Sequence, residues 1–240
     1  MPQGAVNMSN RDAVWKDIWA EKGLEQGVPL HHADGYDLLS VDEWNRMILQ
    51  VSQPIGLRGD ESILESGCGA GAFLASLLAI YPGLKVAGVD YSPSLLAIAR
   101  QNFKSGEFHV ADMTDLGFIA NDSYDHAVSF GTFIYLSSEE SARRAVFEML
   151  RVTKSGGIVY IGEVSDLAKR AEAENIRRAS HEAVKKISAA NPDHLYLPKS
   201  FFQNAAEMSG SGLKIIDHSE FDLGDYQAAR YRYSVYLSKR

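Results

Sequence analysis

The sequence predicts an α/β fold: a seven-stranded sheet, mostly parallel with an antiparallel C-terminal strand, helices on both faces, and an N-terminal helical cover. Three observations lead there. Short β-rich runs alternate with helical periodicity from about Glu61 to Gly162, and such alternation builds a parallel sheet flanked by helices. A glycine-rich turn joins the first run to the helix behind it. Two more β-rich runs end the chain, joined through Gly224 and Asp225 as in a hairpin.

The elements follow in order. Val14, Trp15, Ile18 and Trp19 form a helical stripe closed by Gly23, and Ser40 with Glu43 caps a second helix that ends before Pro54. Residues 1–55 therefore read as a helical cover on one structural domain. Strands are expected at Ser62 to Ser66, Lys85 to Asp90, Glu107 to Ala111, Tyr124 to Phe130 and Gly157 to Glu163. Between them, Tyr81-Pro82-Gly83 stops a helix, and Ser92-Pro93 starts one with an N-cap and an N1 proline. Ser137 with Glu140 fits a capping box opening the helix of Val146, Met149 and Leu150. A helical insertion at about 166–198 begins with the charged stretch Asp166 to Ala190, whose charges read as a solvated face. Leu213 to Phe221 and Tyr231 to Leu237 complete the sheet.

Composition narrows the function. At 240 residues and 45% hydrophobic, the chain buries a sizeable core. A formal charge of −7 provides no global field to attract DNA or RNA. The single cysteine, Cys68, excludes an internal disulfide, a Cys-based zinc cluster and a CxxC redox pair, and suits a reducing cytoplasm. Met1 to Asn10 lacks the marks of a secretory signal, and apolar runs such as Phe73 to Tyr81 fall far short of the roughly 20 residues that cross a bilayer. The expectation is a cytoplasmic protein with neither nucleic acid nor membrane as partner; oligomeric state is left open.

The most informative stretch is Ile63-Leu64-Glu65-Ser66-Gly67-Cys68-Gly69-Ala70-Gly71-Ala72-Phe73-Leu74, a strand, a glycine turn and a helix start in succession. Glycines 67, 69 and 71 let the backbone turn sharply and admit a nucleotide-like ligand. Asp90 ends the second strand about 20 residues on, where an acid can accept two ribose hydroxyls. Asp112 closes the third strand, placed to take an adenine amino group, with Met113 beside it to pack on the ring.

These segments, with Gly88-Val89-Asp90-Tyr91-Ser92, Ala111-Asp112-Met113, Tyr124-Asp125 and Arg151-Val152-Thr153-Lys154-Ser155-Gly156-Gly157, resemble the class I, Rossmann-like methyltransferases that use S-adenosylmethionine (SAM). The match runs from about Glu61 through Glu163. It implies a methyltransferase domain over 56–240 and a sheet ending in an antiparallel strand inserted beside the fifth. It also implies SAM as cofactor, with S-adenosylhomocysteine as product: the glycine loop lies under the methionine moiety, Asp90 holds the ribose, and Asp112 and Met113 hold the adenine. Glu65 stands behind the loop or touches the amino-acid end, and Cys68, Tyr91, Ser92 and Phe130 complete the cofactor set. Two alternatives stay open: a nicotinamide-dependent oxidoreductase, whose loop is G-x-G-x-x-G, and a SAM-binding partner subunit that transfers no methyl group.

The loop Ser129-Phe130-Gly131-Thr132-Phe133-Ile134-Tyr135 should border the transferred methyl. It lacks the Asn or Asp, two prolines and aromatic that resemble the nucleic-acid and glutamine amino-methylating branches, which favours a small-molecule acceptor. Cys68, inside the glycine loop, is no candidate for covalent attack on cytosine. Candidates for catalysis are His31 and Tyr135. Candidates for the acceptor are Trp19, Tyr36, His32, Tyr135, His194 and Arg230, the last suited to an anionic group. No spacing marks His194, Tyr196 or Lys199 as metal ligands, and no metal is expected.

Overall fold

The computed structural model describes residues 8–25, 27–184 and 193–240. Three helices come first: α1 (Met8–Lys22), the single turn α2 (Leu30–Ala33) and α3 (Val41–Ser52). Then β1 (Ser62–Ser66), α4 (Ala72–Ile80), β2 (Lys85–Asp90), α5 (Pro93–Asn102), β3 (Glu107–Val110), β4 (His126–Phe130), α6 (Glu139–Val152) and β5 (Ile158–Ser165) alternate. After them come α7 (Arg170–Val184), α8 (Lys199–Ser209), β6 (Gly212–Asp217) and β7 (Arg232–Ser238). The helix expected to continue over 185–190 lies outside the described residues. No described helix is long and apolar enough to cross a membrane.

One seven-stranded sheet runs in the order β3-β2-β1-β4-β5-β7-β6, parallel except for β7, which is antiparallel to both its neighbours. Alternation along the strands divides the core. Leu64, Ala87, Val89, Val159 and Ile161 share one layer with Val146 and Met149 of α6 and Phe202 of α8. Ile63, Val86, Val128 and Tyr160 share the other with Met47 and Ile48 of α3, Leu77 of α4 and Leu96 of α5. This is the period of two that a sheet covered on both faces requires.

Some boundaries differ from the sequence expectation, each for a local reason. β4 begins at His126 because Asp125 turns its side chain back onto β1, accepting from Ser62 N at 2.8 Å. The α6 cap is Ser138, whose hydroxyl accepts from Ser141 N at 3.1 Å while Ser141 Oγ accepts from Ser138 N at 3.0 Å; Glu140 instead pairs with Arg143. β6 stops at Asp217, which opens a short 3-10 turn with Glu220, so β6 and β7 are joined by a long connection rather than a tight hairpin. β5 runs on to Ser165 through a register shift between Ile161 and Val164.

Candidate active site

The chain leaves β1 and β4 in opposite directions along the sheet, and a crevice forms there beyond the carboxyl ends of the strands. Its lining comes from the glycine loop, the ends of β2 and β4, and the N-terminal cover. Gly67 and Gly69 are left-handed, at φ +77° and +52°. A Cβ on Gly67 would strike Thr132, and one on Gly69 would strike the Asp34 carboxylate, so side chains from outside already use the space the glycines vacate. Gly67 N and Cys68 N both donate to Val89 O, at 2.7 and 3.0 Å, tying the loop to β2. The Cys68 side chain packs in the core, and burial pushes its thiol up.

Three carboxylates converge on this loop. Asp90 is buried and accepts from Gly69 N at 2.9 Å and Ser92 N at 2.8 Å; burial raises its pKa to about 6. Glu65 is buried with Oε2 unpartnered, and burial pushes it well up, helped by the charges of Asp34 and Asp90. Asp34 comes from the cover: Oδ1 accepts from Ala70 N at 2.6 Å and Oδ2 from Ala72 N at 2.9 Å. Its carboxylate thereby satisfies amides at the start of α4, and burial raises its pKa to about 7. Among the described residues, no lysine, arginine or histidine lines the cleft.

The far wall is aromatic. Phe130 stacks on Phe73 and Tyr36, at 5.0 and 5.7 Å between ring centroids. Tyr36 lays its hydroxyl on Gly131, where a Cβ would collide with it. Thr132 Oγ1 donates to Gly67 O at 3.0 Å. Over the mouth, Tyr135 meets Trp15 and Trp19 edge-on at 4.5 and 5.1 Å, and His194 joins the cluster at 5.5 Å from Tyr135. The cover is tied to the cofactor side: Tyr91 OH donates to Trp15 O at 3.3 Å, and Ser94 Oγ to Ala20 O at 2.9 Å. Ser92, the α5 N-cap, donates to Trp19 O at 3.4 Å.

Of the residues singled out in the sequence, Glu65, Gly67, Cys68, Gly69, Asp90, Tyr91, Phe130, Trp19, Tyr36 and Tyr135 line the cleft, and Gly71 caps α4 behind it. Others are placed elsewhere. Asp112 accepts from the amide and hydroxyl of Thr114, at 2.9 and 2.8 Å, and Met113 packs in the α6 core layer. His31 is buried with Nε2 2.9 Å from Leu39 O and its ring on Trp44; His32 bonds the same carbonyl at 3.1 Å. Arg230 is largely exposed and pairs with Glu172 at 2.7 Å. Asp34 was not singled out, although it neighbours His31 and His32 in sequence. Nothing local distinguishes an acid that reaches the loop from one that ends a short helix.

Comparison with known proteins agrees with this geometry. Residues 63–157 match a family described as a methyltransferase domain. The chain is 36% identical over 92 residues to a malonyl-[acyl-carrier protein] O-methyltransferase of Bacillus cereus, covering 38% of this chain and 34% of that protein. It is 30% identical over 169 residues to a demethylmenaquinone methyltransferase of Paenarthrobacter aurescens, covering 68% and 64%. A tRNA (carboxymethyluridine(34)-5-O)-methyltransferase of Arabidopsis thaliana is 34% identical over 99 residues, covering 41% and 23%. The chain thus spans between about a quarter and two thirds of the length of these relatives. Among solved structures, a chain of the complex between the Haloferax volcanii Trm112 methyltransferase activator and its methyltransferase superposes with TM-score 0.62 at 21% identity, covering 93% and 96%. Residues 63–157 are a methyltransferase domain, carried on the Rossmann-like sheet of the class I SAM-dependent methyltransferases.

Proposed function

We propose that the protein is a SAM-dependent methyltransferase that binds its cofactor over the glycine loop and methylates a small molecule admitted beneath the cover. The observation that carries this reading is the charge of the cleft: Asp34, Glu65 and Asp90 line it, and among the described residues no basic side chain does. Desolvated carboxylates in such a cluster favour a ligand that brings positive charge. SAM carries a sulfonium and an ammonium and fits that demand. A dinucleotide pyrophosphate needs open amides at a helix N-terminus. Here Asp34 occupies amides at the start of α4, and its charge would repel phosphate, which weighs against the oxidoreductase.

When bound, SAM supplies a methyl group on a sulfonium that an in-line nucleophile displaces. The chain contributes position and dryness. Gly67, Gly69 and Asp90 give the cofactor its seat, Phe130 and Gly131 wall the acceptor side, and Trp15, Trp19 and Tyr135 shield it from water. His31 is not among the residues that line the cleft and its Nε2 is engaged with Leu39 O, and burial holds the Tyr135 proton on its oxygen, so neither is poised as a base. The reading is therefore of an acceptor that arrives with its nucleophile ready. The relatives' named acceptors, demethylmenaquinone and malonyl-[acyl-carrier protein], support a small acceptor group; the charge of −7 speaks against tRNA.

Calorimetric titration with S-adenosylhomocysteine and with NADH tests the cofactor, and methyl-deuterated SAM with a metabolite extract, read by mass spectrometry, tests transfer. The expected result is binding of S-adenosylhomocysteine but not NADH, and a labelled metabolite. Asp90→Ala should weaken S-adenosylhomocysteine binding tenfold or more, since such an acceptor contributes roughly 1.5–3 kcal/mol. Preference for NADH would overturn the reading, and tight binding without any transfer would favour the partner subunit.

A further inference from the structure

The turn that carries Asp34 is a compact unit within the cover. Asp34 N donates to Leu30 O at 3.0 Å and Tyr36 N to His31 O at 2.8 Å, while His31 and His32 both meet Leu39 O through Nε2. α3, by contrast, is tied to α4 and β7: Trp44 Nε1 donates to Ser76 Oγ, and Tyr236 OH to Val51 O, each at 2.8 Å. Toward the glycine loop the turn has a small apolar footprint, Ala33 beside Ala70 and Leu95. Asp34 adds hydrogen bonds to it, from Ala70 N at 2.6 Å and Ala72 N at 2.9 Å. Gly35, left-handed at φ +87°, turns the chain away directly afterwards, with the Trp19 ring where a Cβ would need to be.

The Asp34 carboxylate lies over the loop where a Cβ on Gly69 would be, in the room that a ligand of that loop needs. It stands with Glu65 and Asp90 in a lining that, among the described residues, holds no cation; the buried guanidinium of Arg232 lies outside that lining and is engaged by Glu163. Acids gathered away from water without a counter-ion repel one another and lose hydration. The three differ in what they hold. Asp90 has its two oxygens on the amides of Gly69 and Ser92, whereas Glu65 Oε2 is buried without a partner among the described residues. Asp34 satisfies two amides of the loop and helix start, and any other carboxylate could satisfy the same pair.

We propose that Asp34 is a self-ligand: its carboxylate keeps the cover closed by occupying the amides of Ala70 and Ala72, and the cofactor enters by putting its own α-carboxylate in that place. This rests on the SAM reading of the same site and adds how the site is gated. The exchange conserves charge on the amides, because one carboxylate replaces another. It also brings an ammonium, on the same carbon, into a cleft where Glu65 has an open oxygen, so the zwitterionic end of SAM relieves both the unpaired acceptor and the crowding of like charge. A pyrophosphate would bring two negative charges and no cation, with Glu65 and Asp90 still facing it. A ligand shifts a conformational equilibrium only by its differential affinity for the two states, and competition for this pair of amides is that difference. Because the turn carries Tyr36 and abuts Trp19, which line the cleft, release of Asp34 couples filling of the loop to the position of the cover.

The test compares wild type with Asp34→Ala and Asp34→Asn. Calorimetry measures two ligands, S-adenosylhomocysteine and its analogue lacking only the carboxylate. The preference for S-adenosylhomocysteine over that analogue should rise about tenfold or more in Asp34→Ala, where no side chain competes for the amides, and by less in Asp34→Asn, whose neutral carbonyl is a weaker acceptor. Backbone amide exchange, followed by NMR at Ala70 and Ala72, reads the closed contact without ligand. Both amides should be protected in free wild type, exchange about tenfold or more faster in free Asp34→Ala, and be slow again in either protein once S-adenosylhomocysteine is bound. An unchanged preference, weaker binding of S-adenosylhomocysteine by Asp34→Ala, or amides that exchange alike in the two free proteins overturns the proposal. Should Asp34→Ala not fold, the same comparisons made with Asp34→Asn decide. A wild-type protein that binds no S-adenosylhomocysteine overturns the underlying cofactor reading instead, while exchange in the free proteins still reports whether Asp34 holds the loop.

Discussion

Asp34 caps α4 from a distance of 36 residues in sequence, and two of its hydrogen bonds come from the glycine loop and helix start. Its pKa of about 7, and that of Asp90 at about 6, stand above the unfolded value of 3.8. For an acid raised in this way, the folded state keeps protons that the unfolded state has released, so its contribution to stability falls as pH rises through that window. His31, His126 and His218, lowered by burial, work in the opposite sense below their usual value, so the clean observable is a difference. The stability advantage of wild type over Asp34→Ala should shrink from about pH 5 to about pH 7, at up to about 1.4 kcal/mol per pH unit. Urea unfolding across that range measures it, and a constant difference would mean that Asp34 is ionised throughout. Asp125, held low by Lys154 and Ser62 against its own burial, loses its contribution only at more acid pH and stays outside the window. What the sequence revealed at this scale was local: Gly67, Gly69, Glu65 and Asp90 sit in one strand-turn-helix-strand pattern whose spacing carries meaning. Asp34, Glu163 and Arg232 gain theirs from contacts 36 to 69 residues away, which no short-range pattern encodes.

At the scale of elements, every strand was legible because alternation of apolar residues marks its two buried faces, while strand ends depended on single side chains. Capping shows the difference. Ser40 with Glu43 closes a capping box on α3 as the spacing suggests, yet at α6 the neighbouring serines 137 and 138 offer two registers and the structure takes the second. Ser138 reaches the N3 amide and Ser141 answers, which leaves Glu140 free to pair with Arg143. Ser138→Ala should therefore lower unfolding free energy by about 1 kcal/mol, the usual cost of a lost N-cap, and Ser137→Ala by clearly less. Equal losses in thermal or urea unfolding would place the cap at the other serine. The helices of the cover were harder to read in full: α2 is a single turn, too short for periodicity to reveal, and it is the turn that delivers Asp34.

For the whole molecule, the two halves of the sheet place different polar groups at the same edge. Glu65 near the end of β1 and Asp90 at the end of β2 lie around the glycine loop, the buried Glu163–Arg232 ion pair joins the late part of β5 to the start of β7, and Phe130, Tyr36 and Tyr135 form the aromatic wall of the cleft. The cover closes over both halves and contains all three tryptophans of the chain, Trp15, Trp19 and Trp44. Trp19 and Trp44 line the cleft, and Trp15 packs on Tyr135 above it. Asp34 and the ties to Tyr91, Ser92 and Ser94 hold this cover down on the cofactor side, so a ligand seated at the loop must displace or replace some of those contacts. Intrinsic fluorescence should consequently shift on addition of S-adenosylhomocysteine, saturating with the calorimetric affinity, and Trp19→Phe should remove a large share of the change. Trp44 provides the internal control, since its Nε1 donates to Ser76 Oγ at 2.8 Å and fixes it to α4. A spectrum unmoved at ligand saturation would mean that the cover does not respond to the cofactor site, and the cleft would then have to fill from a side other than the one Trp19 guards.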